Sequence, residues 1–379
     1  MPGALTVVQL LPALESGGVE RSTLEIADAL VRAGHRAIVV SAGGRLVPRL
    51  LETGAEHVAL DIGRKSLATL GQVRPLRELL AREGVDIVHA RSRLPAWIGW
   101  RALRGMPGAR RPRFMTTVHG LNSPSRYSAV MTHGERVVCV SDTVRDYVLR
   151  HYPRTDPAKL RVVPRGIDPE AFPSAPWPDR IARIGVSAPY PRLGGDGPLL
   201  LLPGRGTRLK GHADALVLLA RLRGDGLDAR LWMPGARDPA RADYVAELES
   251  RAAALGIADA LAITPPTAAI ANAYAASDLV LQLSRKPEAF GRTVIEALSV
   301  GRPVLGWAHG GVGELLRELQ PAGAVVPFDM DALHAGARAL LGDAAQRAVL
   351  HATMPPLVAR YSLQAMQQST LAVYRELAP

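Results

Sequence analysis

Short apolar runs alternate with amphipathic stretches along most of the chain. The first apolar run, residues 6–11, leads through a glycine-containing turn into residues 22–34, whose apolar positions recur every three or four residues. A second apolar run, residues 36–42, returns to a strand. Buried parallel strands read as continuous apolar runs, and the helices that connect them are amphipathic. The alternation therefore predicts parallel sheets covered by helices on both faces.

The alternation is interrupted once. Residues 173–197 are rich in proline and glycine and show little periodicity, which indicates a linker. We therefore predict two doubly wound domains, residues 1–175 and 197–358, joined by residues 176–196 and followed by a helical segment, 359–379. In such sheets ligands bind beyond the carboxyl ends of the strands, and a pair of domains leaves a cleft for a substrate. We therefore expect the functional residues in the loops that follow strands.

The composition narrows the class of protein. The chain has 379 residues, 47% hydrophobic and 21% charged, which describes a globular protein long enough for two domains. Its single cysteine, Cys139, cannot form an internal disulfide, which fits a reducing compartment. The N-terminus lacks the features of a signal peptide, and no apolar run reaches the ~18 residues of a membrane-spanning helix. We expect a cytoplasmic protein, or one attached to the cytoplasmic face of the inner membrane.

The net charge of +11 lies mostly in the first half of the chain. Residues 1–170 contain 25 Lys and Arg against 16 Asp and Glu, a net of +9, and the remainder contains 21 against 19, a net of +2. Two interpretations stay open: a surface that attracts anionic lipids, phosphates or nucleic acid, or the arginine usage of a high-GC genome.

Two loops after predicted strands carry glycines or cations. The first contains Gly17 and Gly18 before a helix; such a pair allows backbone amides to approach an anion, but it also forms ordinary tight turns. The loop after the strand at 198–202 contains Arg205 and Lys210. One forked cation and one point charge suit a diphosphate, which has several oxygens to neutralise.

A third loop precedes a short helix predicted at 292–300 and contributes a pair of glutamates eight residues apart. Glu288 lies in the loop and Glu296 about one turn inside the helix. A carboxylate can accept hydrogen bonds from two neighbouring hydroxyls, and the helix start around Arg292 and Thr293 offers amides to an anion. The pattern predicts a site for a sugar diphosphate, with one glutamate on the transferred sugar and the other on a ribose. A lone glutamate would instead indicate an ordinary amphipathic helix.

In this order, the strings GRGTRLKG, EAFGRTVIE and GGVGE resemble the motifs of the retaining glycosyltransferases of family 4, which have the GT-B fold. The similarity covers nearly the whole chain, including SGGVERSTLEIADALVRAGHRAIVV and VVPRGIDPEAF in the first half. The resemblance implies two Rossmann-like domains that face a cleft, with the final helix packing back on the first domain. It also implies a metal-independent enzyme that needs no cofactor besides its substrate, a UDP- or GDP-linked sugar.

The resemblance assigns roles to individual residues. Arg205 and Lys210 would bind the donor diphosphate, Glu296 the ribose, and Glu288 the hydroxyls of the transferred sugar. His119, at the end of the strand FMTTVHG, matches a family histidine near the reacting carbon. The predicted catalytic residues are Glu288, His119, Arg205 and Lys210. The predicted donor-binding residues are Gly17, Gly18, Arg205, Lys210, Glu288, Phe290, Gly291, Arg292, Thr293 and Glu296.

Several positions depart from the family pattern. Arg165 stands where asparagine is usual, Ala289 where a second glycine is usual, and GGVGE lacks the common proline before Glu314. The loop before Glu288 is also more basic than usual. None of these changes removes a group with a direct chemical role, although Arg165 could affect the hinge or the acceptor side. The D-x-D string at residues 329–331 opens a helix, which predicts a capping aspartate rather than a metal site.

The residues and the resemblance together predict transfer of a sugar from a nucleotide-diphosphate donor to a glycan or lipid-linked acceptor, and the resemblance implies that the anomeric configuration is retained. Lipopolysaccharide or exopolysaccharide assembly is the favoured setting, with peripheral contact to an anionic membrane. A nucleotide-sugar epimerase of the same fold is the main alternative. A dinucleotide oxidoreductase is disfavoured because G-x-G-x-x-G is missing, and a nucleic-acid-binding protein because only 4% of residues are aromatic. We therefore expect no nucleic-acid partner.

Overall fold

The computed structural model describes residues 3–15, 17–342 and 344–378. The chain divides into two compact units. The first runs to Gly166 and takes up the C-terminal segment from Leu363, and the second is Ile167–Ser362. Each unit is built on one parallel sheet with helices around it, which confirms the predicted α/β class with two doubly wound domains.

Seven parallel strands form the sheet of the first unit. They are β1 (Thr6–Leu10), β2 (Arg36–Ser41), β3 (Glu56–Ala59), β4 (Ile87–Ala90), β5 (Arg113–Val118), β6 (Arg136–Cys139) and β7 (Leu160–Val162). Their order in the sheet is β3-β2-β1-β4-β5-β6-β7. The chain therefore moves outward from β1 in one direction and returns to β4 on the other side, which creates a switch point between β1 and β4.

The helices of the first unit include the last one of the chain. They are α1 (Gly18–Arg32), α2 (Val47–Glu52), α3 (Val73–Arg82), α4 (Arg93–Arg104), α5 (Asp142–His151) and, from the C-terminal segment, α14 (Leu363–Leu377). Helix α14 shares one hydrophobic core with α1 and the sheet, to which it contributes Met366, Leu371 and Tyr374. The Gln367 side chain also donates to the carbonyl oxygen of Glu25 on α1, at 2.7 Å.

The apolar spacing did not predict helix α4, because proline and glycine interrupt its pattern. Pro95 is the third residue of the helix, and in the first turn its missing N–H costs no intrahelical hydrogen bond. The buried face of the helix includes Ala96, Ile98 and Leu103. Its other face carries arginine and tryptophan.

Six parallel strands form the sheet of the second unit. They are β8 (Leu199–Leu201), β9 (Arg230–Pro234), β10 (Leu261–Thr264), β11 (Leu279–Gln282), β12 (Val304–Trp307) and β13 (Ala324–Val325). Their order is β10-β9-β8-β11-β12-β13, so the switch point falls between β8 and β11. The loops that follow β8, β11 and β12 therefore leave the sheet side by side.

Eight helices cover this sheet in the described residues. They are α6 (Arg180–Ser187), α7 (His212–Gly224), α8 (Ala242–Ala254), α9 (Ile270–Ala276), α10 (Arg292–Ser299), α11 (Gly310–Leu319), α12 (Met330–Gly342) and α13 (Ala344–Val358). Among the helices that the structure describes in either unit, none is long and apolar enough to span a bilayer.

Residues 176–196 are not the linker that the sequence predicted. They belong to the second unit and contain helix α6, capped at its start by Asp179, whose Oδ1 accepts from the Ala182 amide at 2.9 Å. The fully buried Arg302 donates to the carbonyl oxygen of Ala175 at 3.1 Å and to that of Pro176, which fixes the entry to this segment. The prolines lie on both sides of α6 and not within it, so the composition of the whole segment concealed a short helix.

Candidate functional site

The loop after β8 carries Lys210 and touches the loop after β11. Gly211, the residue before α7, has a φ of +76°, and a Cβ placed there would lie 2.0 Å from the carbonyl oxygen of Leu283. A side chain would meet both an unfavourable left-handed backbone and a collision with the neighbouring loop. The Arg285 amide donates to the Leu209 carbonyl oxygen at 2.8 Å across the same contact. Lys210 is thereby held where β8 and β11 both end.

Lys210 and Glu288 form an ion pair between these two loops. The Lys210 Nζ atom lies 2.6 Å from Glu288 Oε1, and the side chains are 28% and 23% exposed. The Ser284 hydroxyl also contacts Glu288 Oε1. In the described residues, no side chain or amide hydrogen-bonds to the second carboxylate oxygen of Glu288. The site thus presents a cation and an oriented carboxylate that retains an acceptor for a hydroxyl.

The GGVGE string supports Glu288 through the backbone. Gly310 has a φ of +59°, and a Cβ there would lie 2.6 Å from the Glu288 carbonyl oxygen. The Gly311 amide donates to that same oxygen at 2.8 Å. The His309 Nε2 atom lies 2.7 Å from the Ser284 carbonyl oxygen. The start of α11 therefore braces the loop that carries Glu288, a role that the sequence analysis did not assign to it.

Helix α10 begins at Arg292, shortly after Glu288 in the chain. Its N-cap is Gly291, with a φ of +104°, a residue that has no side chain with which to cap the helix. Arg292 and Thr293 are its first residues and are half-buried. Phe290 is only 6% exposed, and its ring packs against Tyr361 with 6.0 Å between the centroids. A helix start is suited to an anion because its first amides have no intrahelical partner, and Phe290 can contribute its backbone but not its ring.

Glu296 is more buried than Glu288. It is 8% exposed, and its Oε2 accepts a hydrogen bond of 2.9 Å from the Tyr274 hydroxyl on α9. A buried carboxylate is costly unless hydrogen bonds satisfy it, so Tyr274 both stabilises and orients Glu296. Tyr274 could not be predicted from the sequence, since one tyrosine in an apolar helix carries no signal of its own.

The other basic residues of these loops differ in whether their side chains have partners in the structure. Arg205 is exposed, and its guanidinium has no hydrogen-bond or ion-pair partner within the described residues. Arg285 binds both carboxylate oxygens of Asp214 at 2.8 Å and stacks over the Phe328 ring at 4.8 Å. The unusually basic loop before Glu288 thus uses Arg285 for structure and leaves Lys286 exposed.

His119 and the glycine pair belong to the first unit. Arg165 Nη2 lies 2.5 Å from His119 Nδ1. A guanidinium can only donate, so Nδ1 accepts and the ring proton of neutral His119 lies on Nε2. Burial, and then the charge of Arg165, hold the pKa of His119 well below its ordinary value. Gly17 caps α1 at the carboxyl end of β1, and Gly18 is the first residue of that helix.

The helix-capping role predicted for an aspartate in residues 329–331 is confirmed. Asp329 Oδ1 accepts from the amides of Asp331 and Ala332, at 3.1 and 2.9 Å, and so caps α12. Asp331 pairs with Arg221 at 2.6 Å. Across residues 3–15, 17–342 and 344–378, no group of three or more His, Cys, Asp or Glu side chains is placed to hold a metal ion.

The second unit therefore brings Lys210 and Glu288 into contact at its switch point, just before the start of α10, and Glu296 lies about one turn inside that helix. Arg205 lies on the same loop as Lys210, but among the described residues its side chain forms no hydrogen bond or ion pair with them. The roles of all these side chains toward a substrate stay predictions, as do those of Gly17, Gly18 and His119 in the first unit.

Comparison with known proteins agrees with this architecture. Residues 16–171 match the family model described as Glycosyltransferase Family 4, and residues 191–353 match the one described as Glycosyl transferases group 1. The D-inositol 3-phosphate glycosyltransferase of Kineococcus radiotolerans is 30% identical over 270 residues, which cover 65% of this chain and 58% of that protein. The chain thus spans little more than half the length of this curated relative.

Solved structures match over the full length. A glycosyltransferase from Rickettsia africae is 28% identical with a TM-score of 0.87, and the match covers 99% of this chain and 98% of that one. HepE from Anabaena, solved with UDP-glucose, is 18% identical with a TM-score of 0.82, covers 98% and 100%, and shows the fold alone. The chain belongs to the family 4 type of glycosyltransferases and has the GT-B fold.

Proposed function

We propose that this chain transfers a sugar from a UDP- or GDP-linked donor to a glycan or lipid-linked acceptor, with retention of anomeric configuration. The observation that carries the proposal is the 2.6 Å contact between Lys210 Nζ and Glu288 Oε1, next to the start of α10. A cation and a helix start attract a diphosphate, and a carboxylate with an available oxygen binds sugar hydroxyls. HepE, which shares the fold, was solved with UDP-glucose, which supports a nucleotide-sugar donor.

The proposed reaction follows from where charge develops. The bond between the anomeric carbon and the diphosphate oxygen breaks, and its electron pair stays on the departing phosphate. Lys210, Arg205 and the first amides of α10 stabilise that charge, often the largest catalytic contribution. The acceptor hydroxyl oxygen bonds to the anomeric carbon on the same face, and its proton passes to the departing phosphate.

The remaining side chains bind and orient in this proposal. Glu288 holds hydroxyls of the transferred sugar, and Glu296, oriented by Tyr274, holds the ribose. His119 donates a hydrogen bond from Nε2 to a substrate hydroxyl near the reacting carbon, as the family resemblance implies.

For the acceptor, we propose a lipid-linked or phosphorylated glycan at the cytoplasmic face of a membrane, as in lipopolysaccharide or exopolysaccharide assembly. The excess positive charge of residues 1–170, +9, supports an anionic partner on that side. The name of the Kineococcus relative also supports a phosphorylated acceptor.

The test of the donor is thermal unfolding with a panel of UDP-, GDP- and ADP-sugars. A donor at 100-fold over its Kd should stabilise the protein by roughly 2.7 kcal/mol. At the same donor concentration, Lys210→Met should reduce this stabilisation to roughly 0.3–1.4 kcal/mol. Lys286→Met, a matched change at an exposed lysine of the loop that carries Glu288, should preserve it. If no nucleotide sugar shifted the transition, the proposal would be wrong.

Product analysis separates the remaining alternatives. Retention predicts by NMR that the product keeps the anomeric configuration of the donor, and an inverted product would refute the same-face mechanism. An epimerase needs no acceptor, so conversion of the donor sugar in its absence would favour that alternative.

A further inference from the structure

The positive charge of the first unit is concentrated in one segment. Residues 87–134 contain eight arginines and no lysine, aspartate or glutamate, so they supply +8 of the +9 carried by residues 1–170. The segment includes helix α4, whose inward face packs on the unit. No acidic side chain within these 48 residues offsets the arginines, of which Arg91 is buried and Arg93, Arg101 and Arg104 lie on α4.

The outward face of α4 pairs arginines with tryptophans. Trp97 and Trp100 pack edge to face, with 5.4 Å between ring centroids. The Arg101 guanidinium lies over the Trp97 ring at 6.0 Å, and that of Arg104 over the Trp100 ring at 4.8 Å. Both arginines are exposed and both tryptophans half-buried. The rings are therefore fixed at the surface with cations above them.

A third aromatic ring extends this face. Tyr127 is 41% exposed, and the Arg93 guanidinium lies 5.4 Å from its ring centroid. The Trp97 indole N–H donates to the Tyr127 carbonyl oxygen at 2.9 Å, which joins the tyrosine to α4. We call Arg93, Trp97, Trp100, Arg101, Arg104 and Tyr127 the arginine–aromatic face.

Among the described residues, no carboxylate pairs with the arginines of this face. Arg113, at the start of β5, pairs with Glu135 at 2.9 Å. By contrast, Arg93, Arg101 and Arg104 have no carboxylate partner in the part of the chain that the structure describes. The face therefore keeps its positive charge for an external anion.

We propose that the arginine–aromatic face docks on the surface of an anionic lipid bilayer. Tryptophan and tyrosine combine an apolar ring with a polar edge and favour the headgroup level, and guanidinium groups bind lipid phosphates. Nucleic acid fits less well, because stacking needs open ring faces, whereas here each ring has an arginine over it and the indoles pack edge to face. The inference rests on the proposed function only in that a lipid-linked acceptor would bring the enzyme to a membrane.

The test is retention of the full chain on vesicles of phosphatidylcholine alone or mixed with phosphatidylglycerol. The protein should bind the anionic vesicles, lose binding as salt rises, and ignore the neutral ones. One arginine near an anionic surface contributes about fivefold to the partition coefficient, so Arg101→Gln/Arg104→Gln should lower it roughly 30-fold. Brominated lipid should quench tryptophan emission, and Trp97→Phe/Trp100→Phe should remove that quenching.

The matched control is Arg64→Gln/Lys65→Gln, which removes the same charge beside Leu67, an exposed leucine of the same unit (87% exposed). This control should change the partition coefficient little. An equal loss in both variants would show a general effect of net charge and overturn the proposal. So would failure of the wild-type chain to bind anionic vesicles, or its retention on a DNA oligonucleotide instead of on vesicles.

Donor binding separates this proposal from the proposed function. The Arg101→Gln/Arg104→Gln variant should keep its thermal transition and its stabilisation by nucleotide sugar, because both residues are exposed and outside the proposed donor site. Loss of vesicle binding with donor binding intact supports the docking surface. Vesicle binding without any response to nucleotide sugars would leave the surface standing and refute the sugar-transfer proposal.

Discussion

Substitutions at the two ends of the Lys210–Glu288 pair should change nucleotide-diphosphate affinity in opposite directions. Lys210 has one ammonium group, and its partner Glu288 lies 2.6 Å away. A diphosphate that binds Lys210 must share the ammonium group with the Glu288 carboxylate or displace that carboxylate. Lys210→Met keeps the apolar stem and removes the cation, whereas Glu288→Gln keeps the shape and removes the competing negative charge.

The expected changes in UDP affinity follow from the geometry of the Lys210–Glu288 ion pair. A phosphate oxygen on the far side of Lys210 Nζ would lie about 6 Å from the Glu288 carboxylate, and at an effective dielectric of about 40–80 the two charges repel by about 1 kcal/mol. Glu288→Gln should therefore tighten UDP binding about fivefold. Lys210→Met removes a charge-assisted hydrogen bond of about 1.5–3 kcal/mol and should weaken UDP binding roughly 10- to 150-fold.

Titration calorimetry with UDP measures both changes, and kcat with a nucleotide sugar completes the test. Glu288→Gln should lower kcat even though UDP binds more tightly, because the carboxylate is proposed to hold the transferred sugar. Lys286→Met serves as the control for loss of one positive charge. If both substitutions weakened UDP equally, Glu288 would not compete for Lys210. If Lys210→Met left the Kd unchanged, Lys210 would not touch the diphosphate.

Three further predictions concern buried polar groups. Tyr274→Phe removes the donor to Glu296 and should lower the free energy of unfolding by about 1.5–3 kcal/mol, measured with urea; equal stability would contradict the structural role of this hydrogen bond. Arg165→Asn removes the second cause, after burial, of the low His119 pKa, so that pKa should rise in an NMR titration, and an unmoved pKa would refute the contribution of Arg165. Burial lowers the pKa of His212 to about 4. Because the unfolded chain binds this proton more readily, stability should fall by about 1.4 kcal/mol per unit as pH drops from about 6.5 to 4. His212→Asn should reduce that slope in thermal unfolding, and an identical slope would refute the assignment.

The sequence by itself determined the two parallel sheets and the key side chains of the candidate site. Apolar runs separated by amphipathic stretches permit few architectures, since buried parallel strands need helices on both faces. Glu288 and Glu296 could be placed because a loop residue and one turn of the following helix are local features. The capping role of Asp329 was readable for the same reason.

Only the tertiary structure decided which groups meet. Lys210 and Glu288 are 78 residues apart and touch because β8 and β11 are neighbours in the sheet. Tyr274 reaches Glu296, and Arg165 reaches His119, through packing that no periodicity encodes. The short helix α6 was also missed because prolines flank it on both sides. Helix α4 was missed because a proline and a glycine interrupt its apolar pattern. Contacts between distant segments depend on strand order and helix packing, which local patterns do not contain. The arginines of residues 87–134 could therefore be counted from the sequence, but only the fold shows that Arg93, Arg101 and Arg104 lie over aromatic rings.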